Sequence, residues 1–180
     1  MKLSKFLRAA IAATTLLVGI VHTAKADIVT YTGDTTGGPT WNRPLESLTD
    51  VSAVGTDVAY QTLTLQASVD GAYSFLSSAS FDQLIFLYAN AFDAANPLAN
   101  GVIGNDDLIN TSTSGFEAEL LAGVTYYFVT TAFSNGDAGA YSVTIAGPGL
   151  VSAVPEPSAW LMLAMGLAAV TYAQRRKSQR

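Results

Sequence analysis

The chain has 180 residues, 49% of them hydrophobic and only 13% charged, with a formal net charge of −5 and no cysteine. That length accommodates one ordinary domain with a real core, and so much apolar residue against so little charge excludes intrinsic disorder. Without cysteine there is no disulfide scaffold, thiolate zinc site, iron–sulfur cluster or thiol nucleophile.

Mean hydropathy is +0.31, high for a soluble protein, and the apolar excess sits largely at the two ends. Lys2, Lys5 and Arg8 precede an unbroken run of apolar and small residues over 9–21. Ala24-Lys25-Ala26 follows, a small-x-small site that a signal peptidase accepts. This predicts a signal peptide over 1–26, helical in its apolar part, and a mature chain that begins at Asp27.

From there the pattern is β. Residues 60–69 alternate Leu63, Leu65, Ala67 and Val69 with Thr62, Thr64, Gln66 and Ser68, as in an antiparallel strand with one wet face. Asp70-Gly71 reads as a tight turn into a partner strand opened by Tyr73 and Phe75. Residues 83–88 (QLIFLY) are apolar on both faces and predict a buried strand. Alternation returns over 115–121, Ala122-Gly123 turns, and 125–132 is dense in β-formers. Asn135 to Gly139 reads as a loop, and Tyr141, Val143 and Ile145 mark a last strand. Short strands with Gly and Asp turns predict an all-β fold, an antiparallel β-sandwich of jelly-roll or Greek-key type over 27–146.

The charge census narrows the chemistry. Between Asp27 and Val154 there are thirteen carboxylates and one base, Arg43, a net of −12. Nothing there neutralises phosphates, which excludes nucleic acid. The only histidine is His22, and every lysine lies in the terminal segments. A Ser-His-Asp triad, an imidazole zinc site and a Schiff-base lysine are therefore absent from the mature domain. Carboxylate chemistry remains. Glu117 and Glu119, two apart on a strand, would lie roughly 6.6 Å apart on one face, near the spacing of an inverting glycosidase. Phe116, Ala118 and Leu120 alternate with them, so the simpler reading is a solvated face. Two close, partly buried carboxylates in a cleft would mark a hydrolase. A lined-up strip of exposed aromatics, drawn from Trp41, Tyr126, Tyr127 and Phe133, would mark a polysaccharide binder.

Asn105, Asp106 and Asp107, with Asp82 or Asp93 nearby, offer hard oxygen ligands for Ca²⁺, although the spacing is not that of an EF-hand and the composition also suits a turn. Arg43, between Trp41 and Pro44, is expected to pin the long N-terminal loop through a carboxylate.

Residues 147–157 read as a linker that opens with Gly147-Pro148-Gly149 and ends in Pro155-Glu156-Pro157, where each proline biases the residue before it toward extended backbone. An apolar stretch over 158–174, with Trp160 and Tyr172 near its ends, predicts a short transmembrane helix. The basic tail over 175–180, led by Arg175, Arg176 and Lys177, would stop transfer on the cytoplasmic side.

Val154-Pro155-Glu156-Pro157-Ser158, then the apolar segment, then Arg175-Arg176-Lys177, resembles the PEP-CTERM sorting signal of Gram-negative bacteria. That resemblance implies export, an inner-membrane-anchored precursor, processing by an exosortase and delivery to the cell surface or extracellular matrix. Biofilm and extracellular polysaccharide often accompany it. A second resemblance rests on residues 82–88, Gly104-Asn105-Asp106-Asp107, residues 121–127 and Gly139-Ala140-Tyr141. It is similar to the bacterial pre-peptidase C-terminal β-sandwich, an accessory module of secreted proteins. The segment Gly37-Gly38-Pro39-Thr40-Trp41-Asn42-Arg43-Pro44 is also similar to one found in secreted PEP-CTERM proteins. Related modules assist binding to polymers, and some carry calcium. The combined expectation is a non-catalytic exported protein, structural or adhesive, with polysaccharide as a further partner.

Overall fold

The computed structural model describes residues 26–154, together with Met165 and Leu167. The signal helix with Ala24, the motif residues Pro155 to Ser158, and the expected membrane helix and Arg175-Arg176-Lys177 stop lie outside the described residues. Among the described residues no helix is long and apolar enough to cross a membrane.

Among the described residues ten strands follow one another: β1 (Asp27–Asp34), β2 (Thr40–Trp41), β3 (Val58–Ala67), β4 (Gly71–Ala79), β5 (Gln83–Ala89), β6 (Gly101–Asn105), β7 (Thr113–Leu120), β8 (Tyr126–Ala132), β9 (Ala140–Gly147) and β10 (Val151–Ala153). They form two antiparallel sheets. One has the order β1-β9-β4-β7; the other runs β10-β3-β8-β5-β6, with β2 on the start of β3. Leaving β2 and β10 aside, most connections cross between the sheets, and the order is that of a jelly roll. The all-β sandwich expected from the alternation is therefore the fold.

The inward faces meet in a core of Leu65, Tyr73, Phe75, Ile85, Leu87, Phe128, Val143 and Ile145. Leu65, Tyr73, Phe75, Val143 and Ile145 belong to the apolar half of a period-two pattern, and Ile85, Leu87 and Phe128 to strands buried on both faces. Asp70-Gly71 does turn the chain, with Gly71 at φ 149°. It does not make the expected hairpin, because β4 pairs with β7 and β9 in the opposite sheet from β3. Burial decides this: β3 and β4 each have one strongly apolar face, and crossing between sheets packs those faces against one another.

A second apolar cluster lies on the outer face of the β3-β8-β5-β6 sheet. Trp41, Val58, Leu84, Phe86, Tyr88 and Val129 are buried there. The long excursion between β1 and β3 covers this face, which is why QLIFLY is apolar on both sides. Thr62, Thr64 and Gln66, expected to be wet, are half-buried, and Gln66 Nε2 donates to Thr125 Oγ1 at 2.9 Å. Trp41 anchors the cover, its indole Nε1 donating to Thr131 Oγ1 at 2.9 Å.

Four strands were not legible as such: β1, β2, β6 and β10. The last lies in the expected linker, where Val151, Ser152 and Ala153 pair with Ala67, Gln66 and Leu65.

Candidate metal centre

The β5–β6 ladder builds the site. Ile85 lies opposite Asn105 in an antiparallel register, so the residue just before β5 and those just after β6 reach the same end of the sheet. These are Asp82, Asp106 and Asp107. One carboxylate oxygen from each lies within 4.8 Å of the others. Two oxygens that share one ion at about 2.4 Å can be at most about 4.8 Å apart, so the spacing suits a single Ca²⁺. Asp82 and Asp106 are half-buried and Asp107 is exposed.

The group is also held from above. Glu46, on the excursion between β2 and β3, accepts the Asp106 backbone N–H through Oε2 at 3.3 Å. The Ser114 hydroxyl contacts the Asp106 carbonyl. Asp106 Oδ1 is buried and has no hydrogen-bond partner among the described residues. Burial raises the Asp106 carboxyl to about 6, helped by the charges of Asp107, Asp82 and Glu46 and opposed by Arg43. Asp82 is raised by burial, then by Asp107 and Asp137. A buried carboxylate oxygen without a donor is costly, and a cation with oxygen affinity satisfies it. The residues present fit Ca²⁺.

The structure does not bring Asn105 or Asp93 into the group. Asn105 Oδ1 accepts the Gly115 N–H at 2.9 Å and so ties β6 to β7. Asp93 caps its own turn, accepting from Ala95 N–H at 2.9 Å and Asn96 Nδ2 at 2.6 Å. Glu46 was missed, since its neighbour Asp106 is sixty residues away and no local pattern links them.

Arg43 is buried against this centre, but its contacts correct the expected carboxylate pairing. Nε and Nη2 donate to the Phe133 carbonyl at 3.3 and 2.9 Å, and Nη1 donates to the Pro44 carbonyl at 3.0 Å. The guanidinium also lies 5.0 Å from the Phe133 ring centroid. Asp106 and Asp82 act on it only at longer range. The excursion is pinned, through backbone. A cleft of about 430 Å³ opens here, lined by Arg43, Glu46, Ser52, Leu84, Asp106 and Phe133 among others.

The other candidate pair lies elsewhere. Glu117 and Glu119 are exposed on β7, with Ala118 and Leu120 turned inward, and Ser74 Oγ donates to Glu117 at 3.2 Å. Trp41 and Tyr126 are buried, and Tyr127 and Phe133 pack against the outer-face cluster.

Comparison with known proteins decides what the end of the chain is. Residues 153–177 match the PEP-CTERM protein-sorting motif. The motif marks an exported protein, anchored in the membrane before exosortase processing and then released to the cell surface. No curated protein matches the chain. Among solved structures it is similar to Aeromonas hydrophila PliG, a periplasmic inhibitor of g-type lysozyme, at 11% identity over 69% of this chain and 87% of that one, TM-score 0.38. It is similar to CBM35 from Cellvibrio japonicus Abf62 at 13% identity over 73% and 99%, TM-score 0.40. A cleaved adhesin domain (K1) of Lys-gingipain from Porphyromonas gingivalis W83 aligns at 14% identity over 73% and 99%, TM-score 0.36. Likenesses at this level carry no argument about what the domain binds.

Proposed function

We propose that the mature domain is a non-catalytic, exported jelly-roll module, delivered whole to the surface or matrix as a structural or adhesive component. The observation that carries this is one of position. The sorting motif begins at Ala153, the last residue of β10, so the entire sandwich lies upstream of Pro155-Glu156-Pro157 and leaves as a folded cargo. In this reading signal peptidase cuts before Asp27, the segment over 158–174 holds the precursor in the inner membrane, and residues 175–180 stop transfer. Asp82, Asp106 and Asp107 hold Ca²⁺, which neutralises the most crowded acids of a domain with net charge −12. The ion supplies cross-linking between the β5–β6 end and its neighbours, not chemistry on a substrate.

A second reading, a carboxylate-only glycoside hydrolase, has one observation in its favour: Asp106 is partly buried, raised to about 6 and beside Asp82. Against it, three acids crowd one point instead of facing each other across a cleft. Incubation with extracellular polysaccharide from the producing cells separates the two. The module should co-sediment with the polymer without releasing reducing ends. Release of reducing ends that Asp106→Asn abolishes would overturn the non-catalytic reading.

A further inference from the structure

Among the described residues the two sheets end in β1, β7, β6 and β10, and three of these edges are blunted. The β6–β7 connection covers the first half of β7. There the Leu108 N–H donates to the Thr113 carbonyl at 2.8 Å, and the Gly115 N–H donates to Asn105 Oδ1 at 2.9 Å. The other half of β7 carries the exposed carboxylates of Glu117 and Glu119. β6 has five residues, shifts register against β5 and runs straight into Asp106 and Asp107. β10 has three residues. Short, bulged and charged edges of this kind resist pairing with another chain.

β1 has none of these devices. It is eight residues long, keeps one unbroken register with β9, and contains no proline or lysine. Its acids stand only at its ends, so residues 28–33 are uncharged in a strongly acidic domain. The Thr35 N–H donates to the Gly139 carbonyl at 3.0 Å, which turns the odd-numbered residues of β1 toward β9. The Asp34 N–H points the other way and donates to Gln61 Oε1 at 3.1 Å. The N–H and C=O of Ile28, Thr30 and Thr32 therefore face outward as well, and among the described residues nothing bonds them. The Ile28 side chain is 69% exposed, more than any other large apolar residue of these strands.

We propose that β1 pairs antiparallel with β1 of a second copy, with the two-fold axis at Thr30. Outward-facing residues then meet one another: Thr30 meets Thr30 of the second copy, and Ile28 meets its Thr32. These pairs form about six backbone hydrogen bonds. Asp27 falls opposite Gly33, so no two carboxylates face each other across the seam. Moving the axis to Tyr31 would set Ile28 against Asp34, whose N–H Gln61 already holds. The opposing Thr32 covers Ile28, and the two β1-β9-β4-β7 sheets become one continuous sheet. The pairing needs neither calcium nor the sorting motif, so its test stands apart from those readings.

The chain has no cysteine, so single cysteines report the register directly in the full chain held in detergent micelles. Paired residues of this kind have Cα atoms about 5.5 Å apart, within reach of a disulfide. Thr30→Cys should form a covalent dimer under mild oxidant. Ile28→Cys alone should not, because its two copies would lie about 13 Å apart, but mixed with Thr32→Cys it should. Adding Thr30→Lys to both chains of that mixture sets two ammonium groups on the axis. It should slow the cross-link about tenfold or more and leave the thermal melt close to the parent's, since the position is at an edge. Ile28→Cys that cross-links alone as fast as Thr30→Cys, or a mixed cross-link untouched by Thr30→Lys, would overturn the proposal. Slow exchange of the Ile28, Thr30 and Thr32 amides in a monomer would also overturn it and assign the edge to the chain's own terminal segments.

Discussion

Arg43 and Phe133 meet twice: the guanidinium donates to the Phe133 carbonyl through Nε and Nη2 and lies 5.0 Å from the centroid of the same residue's ring. The only base between Asp27 and Val154 thereby clamps the β1–β3 excursion onto the end of β8, directly behind the acidic centre. Arg43→Met should destabilise the domain by about 2–4 kcal/mol, since it strips donors from partly buried carbonyls and removes a positive charge acting on Asp106. Arg43→Lys should rescue little, because a single ammonium cannot serve Phe133 and Pro44 together. Urea unfolding of the three proteins checks this. Equal midpoints for Arg, Lys and Met would contradict it.

The acidic centre makes stability depend on pH with a definite sign. Asp106 is raised from 3.8 to about 6 in the folded state, so the native protein keeps a proton that the unfolded chain releases between about pH 4 and pH 6. Stability should fall as pH rises through that window, with the loss complete above it. Asp34 and Asp93, held low by hydrogen bonds from Thr36 and Asn96, act below the window. In chelator, Tm should be higher at pH 5 than at pH 7. Asp106→Asn should flatten that difference and raise stability at pH 7 by on the order of 1 kcal/mol once solvent screening is allowed for. A flat profile in the parent protein would count against the burial of this charge.

Calcium should act on the same residues. At matched ionic strength and pH 7, millimolar Ca²⁺ should raise Tm beyond a Mg²⁺ control, because the larger ion accepts an irregular set of oxygens more readily. Asp106→Ala or Asp107→Ala should reduce the gain. Equal shifts with both ions, untouched by these substitutions, would mean general screening of a highly acidic domain.

Gly104 permits the close approach that brings Glu46 over β6. A Cβ there would lie 2.6 Å from the Glu46 carbonyl oxygen and 2.6 Å from the Phe86 ring. Gly104→Ala should cost about 1–3 kcal/mol by overpacking. It should also weaken the Ca²⁺-induced Tm shift by displacing the excursion. Thermal melts with and without Ca²⁺ read both effects.

What the sequence displayed was whatever has a short period. Alternating Leu and Thr in β3 and the doubly apolar QLIFLY of β5 announced strands, and with Gly and Asp turns they announced a sandwich. Asp70-Gly71 announced a turn but not its partner, since a turn dipeptide does not say whether the next strand lies alongside or across the core. Val151-Ser152-Ala153 is too short to carry a pattern and pairs only because β3 offers an edge. Asp106 and Asp107 were visible as candidates because Asn105-Asp106-Asp107 is a run of hard oxygen ligands, but the unread strand β6 left open whether Asp82 or Asp93 would join them. Glu46 was not, because what brings it there is the packing of Trp41 and Arg43 onto a remote sheet face.

The central claim is that this sandwich is an exported cargo whose release is governed by Pro155-Glu156-Pro157. Intact-mass measurement of the protein recovered from membranes and from the surface and medium fractions tests it most directly, for the native chain and for one with the three residues replaced by alanine. The native protein should be recovered outside the membrane as a species that begins at Asp27 and has lost the apolar segment and basic tail. The triple-alanine chain should stay in the membrane with its C-terminus intact. Release of the alanine chain with the same mass loss as the native one would contradict the account.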